Sequence, residues 1–167
     1  MSLSIYQASV PVFLRGLAVL SALLTKGEAH ATETGGDPAD LLAARLAPDM
    51  HALPAQVQRA CDASKLCISR LAAIDGPVFE DTEVTIADLQ QRIADTIAWI
   101  GSVPAEAFDG AEERAVHLKA GSFERTFTGQ DYLLSFALPN FYFHVTTTYA
   151  LLRAAGVPIG KRDFLGG

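Results

Sequence analysis

The chain predicts an all-α fold, an antiparallel four-helix bundle. Three observations carry that expectation. Four long segments each carry one apolar stripe at spacings of three and four, the period of a helix with one buried side. Capping or helix-breaking residues bound them, and modest loops join them. Only residues 114–128 alternate as strands do. Half of the 167 residues are apolar and no tract is of low complexity, so a packed core is expected. That length suits one ordinary domain and is short for two. No internal repeat or boundary divides it, so residues 1–167 are read as a single domain.

The first stripe is Tyr6, Val10, Phe13, Leu17, Leu20 and Leu24. Pro11 leaves its start open: the helix begins near Ser9 with proline in its first turn, or near Ser4 and bends. Residues 32–36 end it. A short helix can follow, capped by Asp37 with Pro38 at its first position. The second long helix covers residues 53–73, with Leu53, Val57, Ala60, Ser64, Ile68 and Leu71 facing inward. The third starts at Thr85, where Thr85 and Asp88 have capping-box spacing. Its stripe is Leu89, Ile93, Ile97 and Ile100, and Gly101 is its stop. Residues 114–128 read as a small β-hairpin turning at residues 120–122. The last helix begins at residues 128–131, again with capping-box spacing, and ends at Gly156 ahead of Pro158. The tail, residues 157–167, is expected to be extended and to lie over the bundle, with Lys161 and Asp163 as surface groups.

Net charge is −6 and the pI about 5.1. No dense run of Lys and Arg occurs, which argues against nucleic acid and anionic membrane surfaces as partners. Residues 10–24 are apolar, but Arg15 interrupts them and no basic segment precedes them. They are also shorter than the ~20 residues of a membrane span. A buried helix of a soluble, cytoplasmic protein is expected. Cys61 and Cys67 lie six apart on one helix, too far round it for a disulfide, and lack a zinc-binding pattern. Two reduced, buried thiols are expected.

The chemistry concentrates at residues 139–144. Pro139 removes a backbone donor inside an apolar helix. Asn140 and His144, four apart, share a face. Thr147 or Thr148 continues that side, and Tyr6, Tyr142 and Tyr149 are further cavity candidates. Gln56, near the start of the second long helix, can meet Asn140 and His144 if the two helices lie side by side. Such a set is a poor zinc site and a reasonable hydrogen-bonding pocket. Asp62, Lys65 and Arg70 read as a solvated face with local charge pairs. His30 and His51 fall in polar loops, and His117 lies on the hairpin. No nucleophile elbow and no phosphate-binding loop is present.

The run MSLSIYQASVPVFLRGL over residues 1–17, LPNFYFHVTTTY over residues 138–149 and GVPIGK over residues 156–161 resemble a bacterial family, domain of unknown function 1993. The family is related to the DinB/YfiT-like bundles. The resemblance implies an up-down-down-up bundle with a hairpin before the last helix. It also implies the relatives' three-histidine divalent-metal site, with Asn140 and His144 at the paired positions on the last helix and Gln56 at the third. His144 alone is kept, so the metal site is degenerate. No tightly bound cofactor is expected, with a divalent metal at His144 as the minor possibility. The leading functional expectation is a polar interhelical cleft binding a small ligand through Gln56, Asn140, His144, Thr148 and Tyr149. If the cleft is catalytic, His144 is the proton shuttle, because its ordinary pKa suits that task. A homodimer is the expected assembly, and one functional alternative is a non-catalytic bundle acting through homodimerisation or a protein partner. The other, from the resemblance, is a metal-dependent thiol transferase or isomerase.

Overall fold

The computed structural model describes residues 3–166, so Met1, Ser2 and Gly167 lie outside it. Four long helices form the body: α1 (Ile5–Glu33), α3 (Leu53–Ala72), α4 (Ile86–Ser102) and α6 (Leu138–Ala154). A short α2 (Pro38–Leu42) precedes α3, and a hairpin of β1 (Ala115–Ala120) and β2 (Phe123–Thr128) precedes α5 (Gly129–Tyr132). A π-helical turn (Leu133–Ala137) joins α5 to α6 without a break.

The helix starts follow local chemistry. Ser4 caps α1 in a full capping box with Gln7, which resolves the start in favour of Ser4, and Pro11 is carried inside the helix. Asp37 accepts from Ala39 N–H ahead of Pro38. Thr85 and Asp88 close the capping box of α4. In the hairpin, Val116 pairs with Phe127 and Leu118 with Arg125. Gly121 alone of the two turn residues has positive φ (59°), the pattern of a type II′ turn. Arg114 anchors the hairpin base, donating to the carbonyls of Leu71, Ala107 and Asp109. A cation on the last carbonyls of α3 also suits the helix dipole.

Side-chain pairs give the topology. On the α3–α4 face, Gln58 meets Glu83 and Asp62 meets Arg92, rising together along both segments, so these helices run parallel. On the α1–α6 face, Gly16 meets Phe141 and Gly27 meets Leu152, so this pair is parallel too. On the α3–α6 face, Gln56 meets His144 and Arg70 meets Tyr132, in opposite order. The bundle is therefore up-down-down-up. A Cβ at Gly27 would stand 2.9 Å from Leu152 Cδ2, and one at Gly16 would strike the Phe141 ring, so both glycines set how closely α1 and α6 approach.

The core is continuous, from Phe13, Leu17, Leu20 and Leu24 of α1 to Phe141 and Leu151 of α6. α1 is apolar and long enough to cross a membrane by composition, yet half of its most apolar window is buried inside the bundle. Cys61 and Cys67 are buried free thiols, and burial pushes the Cys61 thiol up to about 12.

Three expectations need correction. His30 lies not in a loop but in the last turn of α1. The tail is not wholly extended: residues 161–164 form a short helix, α7 (Lys161–Phe164). It is held on α1 by a Lys26–Asp163 ion pair and an Arg15 bond to the Leu165 carbonyl, contacts that no local periodicity encodes. Asp62 and Lys65 do not form a solvated patch. Lys65 is 5% exposed, and its ammonium pairs with Asp62 at 3.0 Å beneath the 73–85 segment.

Candidate functional site

The α3–α6 seam holds a cavity of about 420 Å³. Its floor is built from buried residues, among them Ala63, Tyr132, Ala137 and His144, and the exposed Arg59, Leu66 and Lys119 form its rim. The π-turn explains why α5 and α6 present these side chains. Leu138 N–H bonds back to the Leu133 carbonyl, five residues earlier. One extra residue per turn advances the register by one. Tyr132, rather than Leu133, then comes onto the face of Ala137, Asn140 and His144. The same local rearrangement accommodates Pro139, which has no N–H to give the exposed Ser135.

A relay runs behind the cavity. Gln56 Nε2 donates to the His51 carbonyl at 3.1 Å, and Gln56 Oε1 lies 2.7 Å from His144 Nδ1. A carbonyl can only accept, so the Gln56 amide must turn its NH2 toward His51 and its oxygen toward the imidazole. His144 therefore carries its proton on Nδ1, and the neutral ring leaves Nε2 as a bare lone pair beside the cavity. Burial lowers the imidazole pKa to about 4, helped by the positive charge of Arg59 and by His51. The ordinary value behind the proton-shuttle expectation thus does not hold in the fold. Near neutral pH His144 is an uncharged hydrogen-bond acceptor and a weak base.

Asn140 lines the cavity one turn from His144, but its carboxamide makes no hydrogen bond to Gln56 or the imidazole. Gln56 is 1% exposed and lies behind His144 rather than on the cavity wall. Thr148 is fully buried and spends its hydroxyl on the His144 carbonyl at 3.0 Å, outside the cavity lining. Tyr149 lies about 140° round the helix from His144 and packs edge-on against Phe164 of the tail, 5.9 Å between ring centroids. The structure thus brings together Gln56 and His144, sets Asn140 beside them, and leaves Thr148 and Tyr149 elsewhere. Tyr6 packs on Phe108 and Tyr142 on Phe141, neither at the cavity.

Sequence reasoning missed Arg59 and Tyr132, and took Arg70 only as part of a solvated face. Arg59, Asp62, Leu66 and Arg70 lie three or four apart along α3, a stripe that could have been seen. Tyr132 could not, because α-helical spacing places it off the His144 face. Arg70 Nη1 donates to the Tyr132 hydroxyl at 2.7 Å, and burial raises that phenol to about 12. Tyr132 keeps its own O–H for another acceptor.

The three-histidine metal arrangement is not rebuilt here. At the positions expected for it stand one imidazole and two neutral carboxamides, which are weak ligands for transition metals. Among the described residues no three His, Cys, Asp or Glu side chains gather as a metal site. Such a donor set does not fit a tightly held divalent transition metal.

The helix order, the hairpin and the seam together define a DinB-like bundle. A crystal structure of a DinB family member protein from Shewanella denitrificans is similar throughout: 36% identical, with a TM-score of 0.90, over 98% of this chain and 92% of that one. More narrowly, the chain belongs to the family described as a domain of unknown function, DUF1993, whose model matches residues 5–165. No curated protein matches it.

Proposed function

We propose that the protein binds a small organic molecule in the α3–α6 cavity and that His144 Nε2 accepts a hydrogen bond from it. One observation carries this reading. The His51–Gln56–His144 relay fixes the imidazole tautomer and aims unused acceptor capacity at a recess of ligand size. Buried polar groups normally spend their hydrogen-bonding capacity inside the protein. Here Nε2, the Asn140 carboxamide and the Tyr132 O–H all keep some, and all three line one cavity. Proton transfer by His144 is the catalytic extension of the reading: a ligand that gives its proton to Nε2 would form an imidazolium stabilised by Gln56 Oε1. Half of the most apolar window of α1 packs inside the bundle, which favours a core helix over a membrane span.

A screen of small polar fragments by heteronuclear NMR tests the reading. Binders should move the His144 imidazole and Asn140 side-chain signals, and His144→Ala should abolish their affinity. Fragments that bind only elsewhere would remove it. Homodimerisation or a protein partner has less behind it, since exposed apolar side chains such as Leu134 and Phe143 are of the kind that ordinary monomer surfaces carry. Sedimentation decides that alternative.

A further inference from the structure

The charges around the same cavity indicate what kind of molecule it takes, an inference that rests on the small-molecule reading above. Arg59, Arg70 and Lys119 line the cavity, and Asp62 is the only carboxylate among its lining residues. Asp62 is already compensated from behind: its Oδ1 lies 3.0 Å from Lys65 Nζ and 3.2 Å from Arg92 Nη2, both outside the cavity. The recess thus presents three cations and one carboxylate shared with two further cations. Its field is positive although the chain as a whole is acidic.

Arg70 is the best placed of the three. Its Nη1 donates to the Tyr132 hydroxyl and its guanidinium sits 5.6 Å from the centroid of that ring. Its Nε and Nη2 donors have no acceptor among the described residues, which leaves one edge of the fork for a ligand. Arg59 has no ion-pair partner there either, whereas Lys119 is drawn to Glu124 at 3.5 Å on the exposed side. A guanidinium edge matches a carboxylate with two parallel hydrogen bonds. In a partly enclosed recess that pairing is screened less than on open surface.

Beside Arg70 the lining is aromatic. Tyr132 and Phe136 are stacked, 6.0 Å between centroids and 18° between planes, and Phe123 stacks on Phe136 from outside. We infer that the cavity takes a small organic carboxylate with a flat apolar body. The carboxylate lies on Arg70 and Arg59, the body lies against Tyr132 and Phe136, and a donor on the ligand can reach His144 Nε2.

Benzoate and benzamide share ring and size and differ in charge, so the full chain titrated with each by heteronuclear NMR tests the inference. Benzoate should bind about ten-fold more tightly than benzamide, the gain of a charge-assisted pair over a neutral one. The paired substitution Arg59→Gln and Arg70→Gln should erase that preference while benzamide affinity stays. Equal affinities in the unaltered protein overturn the ligand class and leave the cavity reading intact. Failure of both probes to perturb Asn140 or His144 overturns the cavity reading as well. The benzoate-to-benzamide ratio needs no variant, so a poorly folding substitution cannot mask the result.

Discussion

Helix α3 has two polar seams, and they treat their buried polar groups in opposite ways. Toward α4, Arg92 is 3% exposed and surrounded by Glu83 at 2.8 Å, Asp81 at 3.0 Å and Asp62 at 3.2 Å, with the Glu80 carbonyl at 3.0 Å. Lys65 joins through Asp62, and its ammonium rests 4.4 Å from the centroid of the Phe79 ring. Burial alone would raise the Glu83 carboxyl, but bonds from Arg92 and Gln58 outweigh it and hold the group below its ordinary value. Charge there is met by opposite charge, and residues 73–85 are pinned over the seam. Toward α6, Gln56 spends both ends of its amide, yet His144 Nε2, Asn140 and Tyr132 O–H keep unused capacity around open space. Charge met by charge marks the structural cluster, although Asp62 Oδ1, Arg92 Nε and Arg92 Nη2 lack well-aligned hydrogen bonds within it, whereas leftover capacity beside open space marks a binding site. Asp62 stands at the border and is committed to the structural side.

The largest effect is expected where pairing is densest. Arg92→Met leaves Glu83, Asp81 and Asp62 without their shared cation. Breaking a buried ion network by removing one partner costs about 3–5 kcal/mol, so the urea midpoint should fall steeply. A loss within the range of a surface ion pair would show that the two seams do not differ in this way.

Gln56→Leu should cost less, about 2 kcal/mol, because it strands one buried N–H and leaves the exposed His51 carbonyl to water. Its value lies in the tautomer. In the unaltered protein the nitrogen shifts of His144 should show a protonated Nδ1 and a bare Nε2. With leucine at 56 the proton should move toward Nε2, which faces the cavity. A tautomer indifferent to residue 56 would break the relay argument.

Acid should sharpen the contrast further. The folded pKa of His144, about 4, lies below its ordinary value of 6.5. The unfolded chain therefore takes up this proton first as pH falls. The contribution of His144 to stability is constant above the unfolded pKa, is lost between about pH 6.5 and 4, and falls no further below that. Nε2 opens on the cavity, so the loss should be about 1–2 kcal/mol rather than the full value of the shift. Urea unfolding at neutral pH and near pH 4.5, for the unaltered chain and for His144→Gln, isolates the effect from that of Glu83. If both proteins lose the same stability, His144 is not the titrating group.

The helices and hairpin were legible because their causes are local. Leu53 to Leu71 and Leu89 to Ile100 repeat at helical spacing, and Thr85–Asp88 announces a start within four residues. Gln56 and His144 could be paired only as helix positions, because their bond joins residues 88 apart through an antiparallel contact. The Arg92 network was hidden because each partner looks like an ordinary exposed charge until residues 73–85 fold over them. Pro139 signalled a defect but not its kind, and the π-turn is what turns Tyr132 into the cavity and carries Phe136 and Ala137 with it. Residues 161–164 form a helix with a local bond from Gly160 N–H to Asp163 at 2.7 Å, and its seat on α1 rests on Lys26 and Arg15, which a pass along the chain does not place nearby.

The smallest effect should come from Tyr149, which the sequence placed in the cleft and the fold places on the far side of α6. Its ring is half-buried against Phe164, and its hydroxyl makes no hydrogen bond among the described residues. Tyr149→Phe removes only that oxygen and keeps the packing, so stability should stay within about 0.5 kcal/mol. Benzoate affinity should not change, because Tyr149 lines no part of the α3–α6 cavity. Tyr132→Phe is the informative partner. It deletes the acceptor for Arg70 Nη1, frees the guanidinium from its fixed orientation and should weaken benzoate several-fold while sparing the fold. If the two tyrosine substitutions act alike on binding, the π-turn register is not what selects the residues of the site.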